Sequence, residues 1–162
     1  MTVAADIMTR EVLTVFPETP VREVGELLGS HRFGSLPVVD AGQTLQGIVT
    51  EEDLVSRAAS FHLPRHIAFL GGIVFLENPH RFEEAAERIL AMTAREIMDM
   101  NVPAVSPETP IEEVASRLLG EHLRRLIVLD HAHHLLGIIT RGDIVRMLTA
   151  SGQLPNKDDV HK

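Results

Sequence analysis

Apolar positions along the chain switch between two spacings, and the order of the switches occurs twice. Val12 to Val15 form a short β-branched run. Val21, Val24, Leu27 and Leu28 then recur at helical spacing, which predicts an amphipathic helix burying one stripe. Two apolar runs follow, Leu36 to Val39 and Leu45 to Val49, split by the turn residues Asp40-Ala41-Gly42-Gln43, and a further helix is expected to start near Thr50. The second passage places Ile111, Val114, Ala115, Leu118 and Leu119 on a helix, Leu126 to Leu129 and Leu135 to Ile139 on strands, and a last helix from Thr140. In Pro17-Glu18-Thr19-Pro20 and its counterpart, Thr19 is expected to cap the helix with Pro20 as its first residue, and Thr109 with Glu112 to form a capping box.

The two passages are one internal repeat at an offset of 90 residues, since Ile7-Met8 recurs as Ile97-Met98 and Pro17-Glu18-Thr19-Pro20 as Pro107-Glu108-Thr109-Pro110. Gly47-Ile48, Thr50 and Asp53 fall on Gly137-Ile138, Thr140 and Asp143. About 20 identities in about 53 aligned positions without a gap mark a true repeat. One copy exposes an apolar sheet and two helix stripes and is too short to bury them alone. The expected fold is therefore α/β (α+β): two pseudo-twofold-related β-α-β-β-α repeats packed through their sheets, with two equivalent clefts suited to a ligand. The boundaries are drawn at 1–57, 58–93, 94–150 and 151–162. The segment 58–93 holds Phe61, Phe69, Phe75 and the run His66 to Leu76, too apolar for a solvated linker, followed by a helix from Arg81 to Met92 with Phe82 on its apolar face. This helical insert is expected to cover a helix face or join a homodimer interface.

Among the 162 residues, 15 Lys+Arg face 23 Asp+Glu, a formal net charge of −8, so the general field repels polyanions and no nucleic acid is expected as partner. With no cysteine, disulfides, thiolate nucleophiles and Cys-type metal sites are excluded. His131-Ala132-His133-His134 falls on the turn between strands, and a polar turn explains it without a metal. His31 closes a helix, where a cation favours the dipole. The beginning, Met1 to Thr14, lacks the apolar core of a secretory signal, and no membrane span is long enough, so a cytoplasmic location is expected. The tail from Leu154 is polar and expected to fray. No triad order, metal set or Gly-rich loop stands out; no enzyme is expected, and no catalytic residue is assigned.

Candidate chemistry gathers at Thr50/Asp53 and Thr140/Asp143. At that spacing the pair makes a helix cap. The same geometry leaves backbone N–H groups for a phosphate and a carboxylate for a ribose diol, so both readings stand. The copies differ in charge: Thr50-Glu51-Glu52-Asp53 crowds carboxylates, whereas Thr140-Arg141-Gly142-Asp143 supplies a cation and a glycine, and the second site should prefer phosphate.

Asp6-Ile7-Met8, Leu36-Pro37-Val38-Val39-Asp40 and Gly47-Ile48-Val49-Thr50-Glu51-Glu52-Asp53, with their second copies, resemble a tandem pair of cystathionine-β-synthase (CBS) domains, a stand-alone Bateman-type module. The resemblance covers about residues 5 to 57 and 95 to 147. It implies a regulatory module that binds AMP, ADP, ATP or S-adenosylmethionine between the repeats, requires no cofactor, forms a homodimer and acts on an effector protein in trans. It also implies ligand contacts at Thr140, Asp143 and Ile138, phosphate contacts at Arg124 and Arg125, and an adenine slot from Met8, Val12 and Leu13. For the first site the same positions are Thr50, Asp53 and Ile48, with Met98, Val102 and Pro103. The second strand departs from the family at Arg125-Leu126-Ile127, where the first copy has Ser35-Leu36-Pro37. The alternative is a structural or dimerisation module without a physiological nucleotide, interacting through its apolar insert.

Overall fold

The computed structural model describes residues 1–31, 34–60, 66–69, 72–75 and 79–150. The elements are α1 (Ala4–Ile7), α2 (Val21–His31), β1 (Ser35–Val39), β2 (Leu45–Thr50), α3 (Glu51–Ser60), β3 (His66–Phe69), β4 (Gly72–Phe75), α4 (Pro79–Leu90), α5 (Ala94–Ile97), β5 (Ala104–Val105), α6 (Ile111–Gly120), β6 (Arg125–Leu129), β7 (Leu135–Thr140) and α7 (Arg141–Ala150). The fold is mixed α+β with small sheets.

Two compact units form, and they do not coincide with the repeats: one joins Met1–Val12 to Val102–Lys162, the other is Leu13–Asn101. Backbone hydrogen bonds explain the division. In the first unit the N–H groups of Ala4 and Ala5 reach the carbonyls of Thr109 and Pro107 at 2.8 and 2.9 Å. Thr9 then bridges Ile138 in both directions, extending the sheet at β7. In the second unit Ala94 and Arg95 reach Thr19 and Pro17 at 2.8 and 2.9 Å, and Asp99 bridges Ile48. The opening segment of each repeat thus completes the body of the other, covering backbone groups that an edge strand would leave unpaired.

Glycine makes this approach possible. A Cβ at Gly137 would lie 2.7 Å from the Thr9 carbonyl oxygen and 2.8 Å from Met8 Sδ; at Gly47 it would lie 2.8 Å from the Asp99 oxygen and 2.8 Å from Met98 Sδ. No larger residue fits without moving the bridge.

The core of the first unit gathers Ala4, Met8, Val114, Leu118, Leu126 and Ile139. That of the second gathers Val21, Val24, Leu28, Leu36, Val49 and Ile97. Leu119, expected on the buried stripe, is 63% exposed: Ile111, Val114 and Leu118 fill the core-facing stripe, and the next position turns off it. The strand expected at Val12 to Val15 shrinks to one parallel bridge between Val15 and Val38, while its counterpart β5 pairs with β6 over two residues.

Thr19 and Thr109 do not cap α2 and α6. Their hydroxyls accept the N–H groups of Phe16 and Ser106 at 3.0 and 3.1 Å, closing the preceding turns, and Pro110 takes the N-cap position. The local turn outcompetes the cap for the same oxygen. In the insert, α4 places Ala85 and Ile89 in the core, but the preceding apolar run is an antiparallel hairpin, β3 on β4 with Phe69 opposite Gly72. Isoleucine, valine and phenylalanine around Gly71-Gly72 favour strands in this run, to which the sequence pattern assigns no element. Phe61, the side chains of Phe69, Phe75 and Phe82, and the tail from Leu154 lie outside the described residues. No helix among the described residues is long and apolar enough to cross a membrane.

Candidate functional site

A candidate site in the first unit lies where β7 runs into α7. Thr140 ends the strand and Arg141 begins the helix, so the first-turn N–H groups have no helical partners and need an acceptor. Asp143 supplies it: its Oδ2 accepts the Thr140 N–H and hydroxyl, both at 2.7 Å. The Asp143 residue is 6% exposed, an unusual place for a carboxylate unless it is paired. Its Oδ1 is engaged by the Arg146 guanidinium and, at a long 3.5 Å, by the Thr9 hydroxyl.

An open cleft of about 510 Å³ runs beside this corner, lined by Asp6, Ile7, Asp143, Arg146, Met147 and Ala150. Its chemistry is mixed: the buried Asp143 carboxylate, a second and exposed carboxylate at Asp6, the Arg146 cation whose side chain is 70% exposed, and apolar surface from Ile7 and Met147. Such a cleft can accept hydroxyl donors at Asp143, an anion at Arg146 and a flat apolar group against the aliphatic walls.

The corresponding corner of the second unit is built differently. Asp53 Oδ2 accepts the Thr50 N–H and hydroxyl at 2.7 and 2.8 Å, and Thr50 Oγ1 in return accepts the Asp53 N–H at 3.2 Å. This is a complete reciprocal cap. Glu51 and Glu52 are exposed beside it. Ser56 stands where the first unit has Arg146, and Asp99 where it has Thr9. Among the described residues no hydrogen bond reaches Asp53 Oδ1.

The structure brings some of the residues singled out by sequence together and separates others. Met8 is buried against Gly137 in the unit that holds Thr140, Asp143 and Ile138, and Val12 is half-buried in the same unit. Leu13 belongs to the other unit and packs on its core. Met98 lies against Gly47 in the unit of Ile48, Thr50 and Asp53. Val102 and Pro103 fall in the first unit, where the Pro103 carbonyl accepts the Ile127 N–H at 3.0 Å. Arg125 is half-buried on β6 opposite Thr140, and Arg124 is exposed just before it. Arg141, read as the cation of the second site, donates to the Leu118 carbonyl at 3.3 Å.

Thr9, Arg146 and Met147 were not singled out by sequence, and Asp6 and Ile7 entered only as part of the family motif, not as site residues. Arg146 and Met147 follow Asp143 at i+3 and i+4, a spacing that puts them on its helix face. Thr9 and Asp6 carry no such signal, because only the exchange of opening segments brings them to β7 and α7.

The histidine turn is organised by Asp130. Its Oδ1 accepts the N–H groups of Ala132 and His134 at 2.9 Å each, and Oδ2 lies 2.9 Å from His134 Nδ1. The His134 backbone N–H, then its ring, hold the Asp130 carboxyl below the ordinary aspartate value. The equivalent Asp40 Oδ1 accepts from Gly42 and Thr44. No cluster of three metal-binding side chains occurs among the described residues. His31 Nδ1 lies 3.2 Å from the Leu27 carbonyl at the end of α2.

Comparison with known proteins identifies the repeat. The sequence profile of the CBS domain matches residues 3–60 and 94–150. The chloroplastic CBS domain-containing protein CBSX2 of Arabidopsis thaliana is 32% identical over 146 residues, covering 87% of this chain and 61% of that protein. CBS domain-containing protein YhcV of Bacillus subtilis is 28% identical over 145 residues, covering 89% of this chain and 84% of YhcV. The crystal structure of CBSX2 in complex with AMP matches with a TM-score of 0.72 and 26% identity over 94% of this chain and 99% of that one. The chain therefore belongs to the CBS domain family and carries the domain twice, as a tandem pair.

Proposed function

We propose that this chain is a regulatory module that binds an adenosine-containing nucleotide at the β7–α7 corner and passes the bound state to a partner protein. The observation that carries this reading is the buried Asp143 carboxylate, opening onto a cleft lined also by the Arg146 cation, the Asp6 carboxylate and the apolar side chains of Ile7 and Met147. A ribose diol donates two hydroxyl hydrogens to one carboxylate, the first turn of α7 offers N–H groups and a positive dipole end to phosphate, and the aliphatic surface suits a base. The match to a CBS protein in complex with AMP supports adenosine as the nucleoside.

The ligand is held rather than transformed: Asp143 and Arg146 are arranged for binding, with the carboxylate already committed to its cap. Binding stabilises whichever conformation holds the ligand better, and that shift is the signal. A homodimer through the insert and an effector in trans complete the reading. At the Thr50–Asp53 corner the reciprocal cap and the surrounding carboxylates favour a structural role.

Circular-dichroism melting with AMP, ATP or S-adenosylmethionine tests the proposal. Ligand at about 100 times its dissociation constant stabilises by about 2.7 kcal/mol, a rise of several degrees. Asp143→Asn, which keeps a side-chain oxygen for the cap, should lose the rise. No shift with any of the three, from protein shown to carry no nucleotide absorbing at 260 nm, would refute it.

A further inference from the structure

We infer that Arg146 is a specificity-determining residue that covers Asp143 Oδ1 and is transferred to the phosphate of an incoming ligand, so that the corner selects anionic nucleotides over uncharged nucleosides. The inference rests on the reading of the β7–α7 corner as a nucleotide site. Three observations point to it. The guanidinium occupies Asp143 Oδ1, the carboxylate oxygen not used by the Thr140 cap. A ribose hydroxyl can take Oδ1 only if the guanidinium leaves.

The Arg146 side chain is also 70% exposed while the Asp143 side chain is 5% exposed, so the arginine has room to swing whereas the carboxylate is fixed. Finally, the side chain folds back along the helix: a Cβ at Gly142 would lie 3.6 Å from Arg146 Nη1 and 3.5 Å from Thr140 Oγ1. Its charge therefore sits over the first turn of α7, where helix geometry itself attracts an anion. Arg141, the cation nearest in sequence, is turned to the Leu118 carbonyl.

The exchange is balanced only for an anionic ligand. A phosphate replaces the carboxylate as the arginine's partner, with the planar bidentate geometry guanidinium favours. An uncharged nucleoside displaces the arginine and gives it nothing in return.

The test is isothermal titration of wild type, Arg146→Gln and Arg146→Lys with AMP and with adenosine. Wild type should bind AMP more tightly than adenosine. Arg146→Gln should weaken AMP by about tenfold, the loss of one charge-assisted pair, and should tighten adenosine about twofold because the ion pair with Asp143 no longer has to be broken. Arg146→Lys should fall between. If Arg146→Gln leaves the AMP-to-adenosine ratio unchanged while both still bind, the inference is overturned and the nucleotide site stands. If wild type binds neither compound, both fall together.

Discussion

The β7–α7 and β2–α3 corners begin from the same Thr-x-x-Asp pattern and end as different devices. Both carboxylates accept a threonine N–H and hydroxyl through one oxygen. The difference lies in what stands around the second oxygen. At Asp143 it is met by Arg146 and Thr9 beside an open cleft; at Asp53 the equivalent places hold Ser56 and Asp99, with Glu51 and Glu52 on the same turn. A shared cap motif is thus neutral with respect to ligand, and neighbouring charge decides whether the spare carboxylate oxygen is usable.

The sharpest break of this comparison concerns what the corners share. Gly137→Ala and Gly47→Ala should each destabilise by about 1–3 kcal/mol, because the new methyl must displace a bridge backbone at under 3 Å. Gly142→Ala, whose methyl meets only ordinary contacts, should instead stabilise by about 0.5–1 kcal/mol through reduced chain entropy. Urea unfolding measures all three, and equal effects at 137 and 142 would refute the close-approach account.

Next in size is the ligand. Asp143→Asn should weaken AMP by about tenfold or more, the scale of a lost bond to a charged acceptor, whereas Asp53→Asn should leave AMP affinity within about twofold. Calorimetry decides, and loss of AMP affinity through Asp53→Asn would move the site to the other unit.

Smaller again, Thr50→Ala and Thr140→Ala should each cost about 0.5–2 kcal/mol as lost caps. Thr50→Ala should cost more, since its hydroxyl both donates to Asp53 and accepts from the Asp53 N–H. Parallel melting curves would show the order.

The smallest effect distinguishes the two strand turns. Asp130 has its carboxyl lowered by His134, first through the backbone N–H and then the ring. A lowered value means that the folded state holds the proton less well than the unfolded one. Its stabilisation is present above the ordinary aspartate value of 3.8 and is lost as pH falls below it. Carbon-detected NMR titration of Asp130 should show a rise towards the ordinary value in His134→Ala. An unmoved midpoint would leave the backbone N–H groups as the whole cause.

Much of this molecule was legible in its local patterns. The repeat at Ile7-Met8 and Ile97-Met98, the paired strands around Asp40 and Asp130, and the caps at Thr50 and Thr140 all follow from spacing within a few residues. Local hydrogen bonds and side-chain periodicity set those features, so a short window of sequence contains their cause. Where two local demands compete for one atom the pattern misleads: the Thr19 and Thr109 hydroxyls close turns instead of capping helices. The hairpin β3–β4 escaped for a related reason, since a short apolar run has no period that separates strand from helix.

By itself, then, the sequence determined the two copies, their strand and helix order, and the position of a carboxylate at the start of each final helix. Arg146, three residues on from Asp143 in the same helix, belongs with those local features. The tertiary structure decided that each opening segment joins the other copy's unit and that Thr9 reaches Asp143 Oδ1. These are contacts across up to 134 positions of chain, created by the need to pair an edge strand's backbone and to bury Ala4 and Met8, and no local pattern encodes which partner satisfies that need.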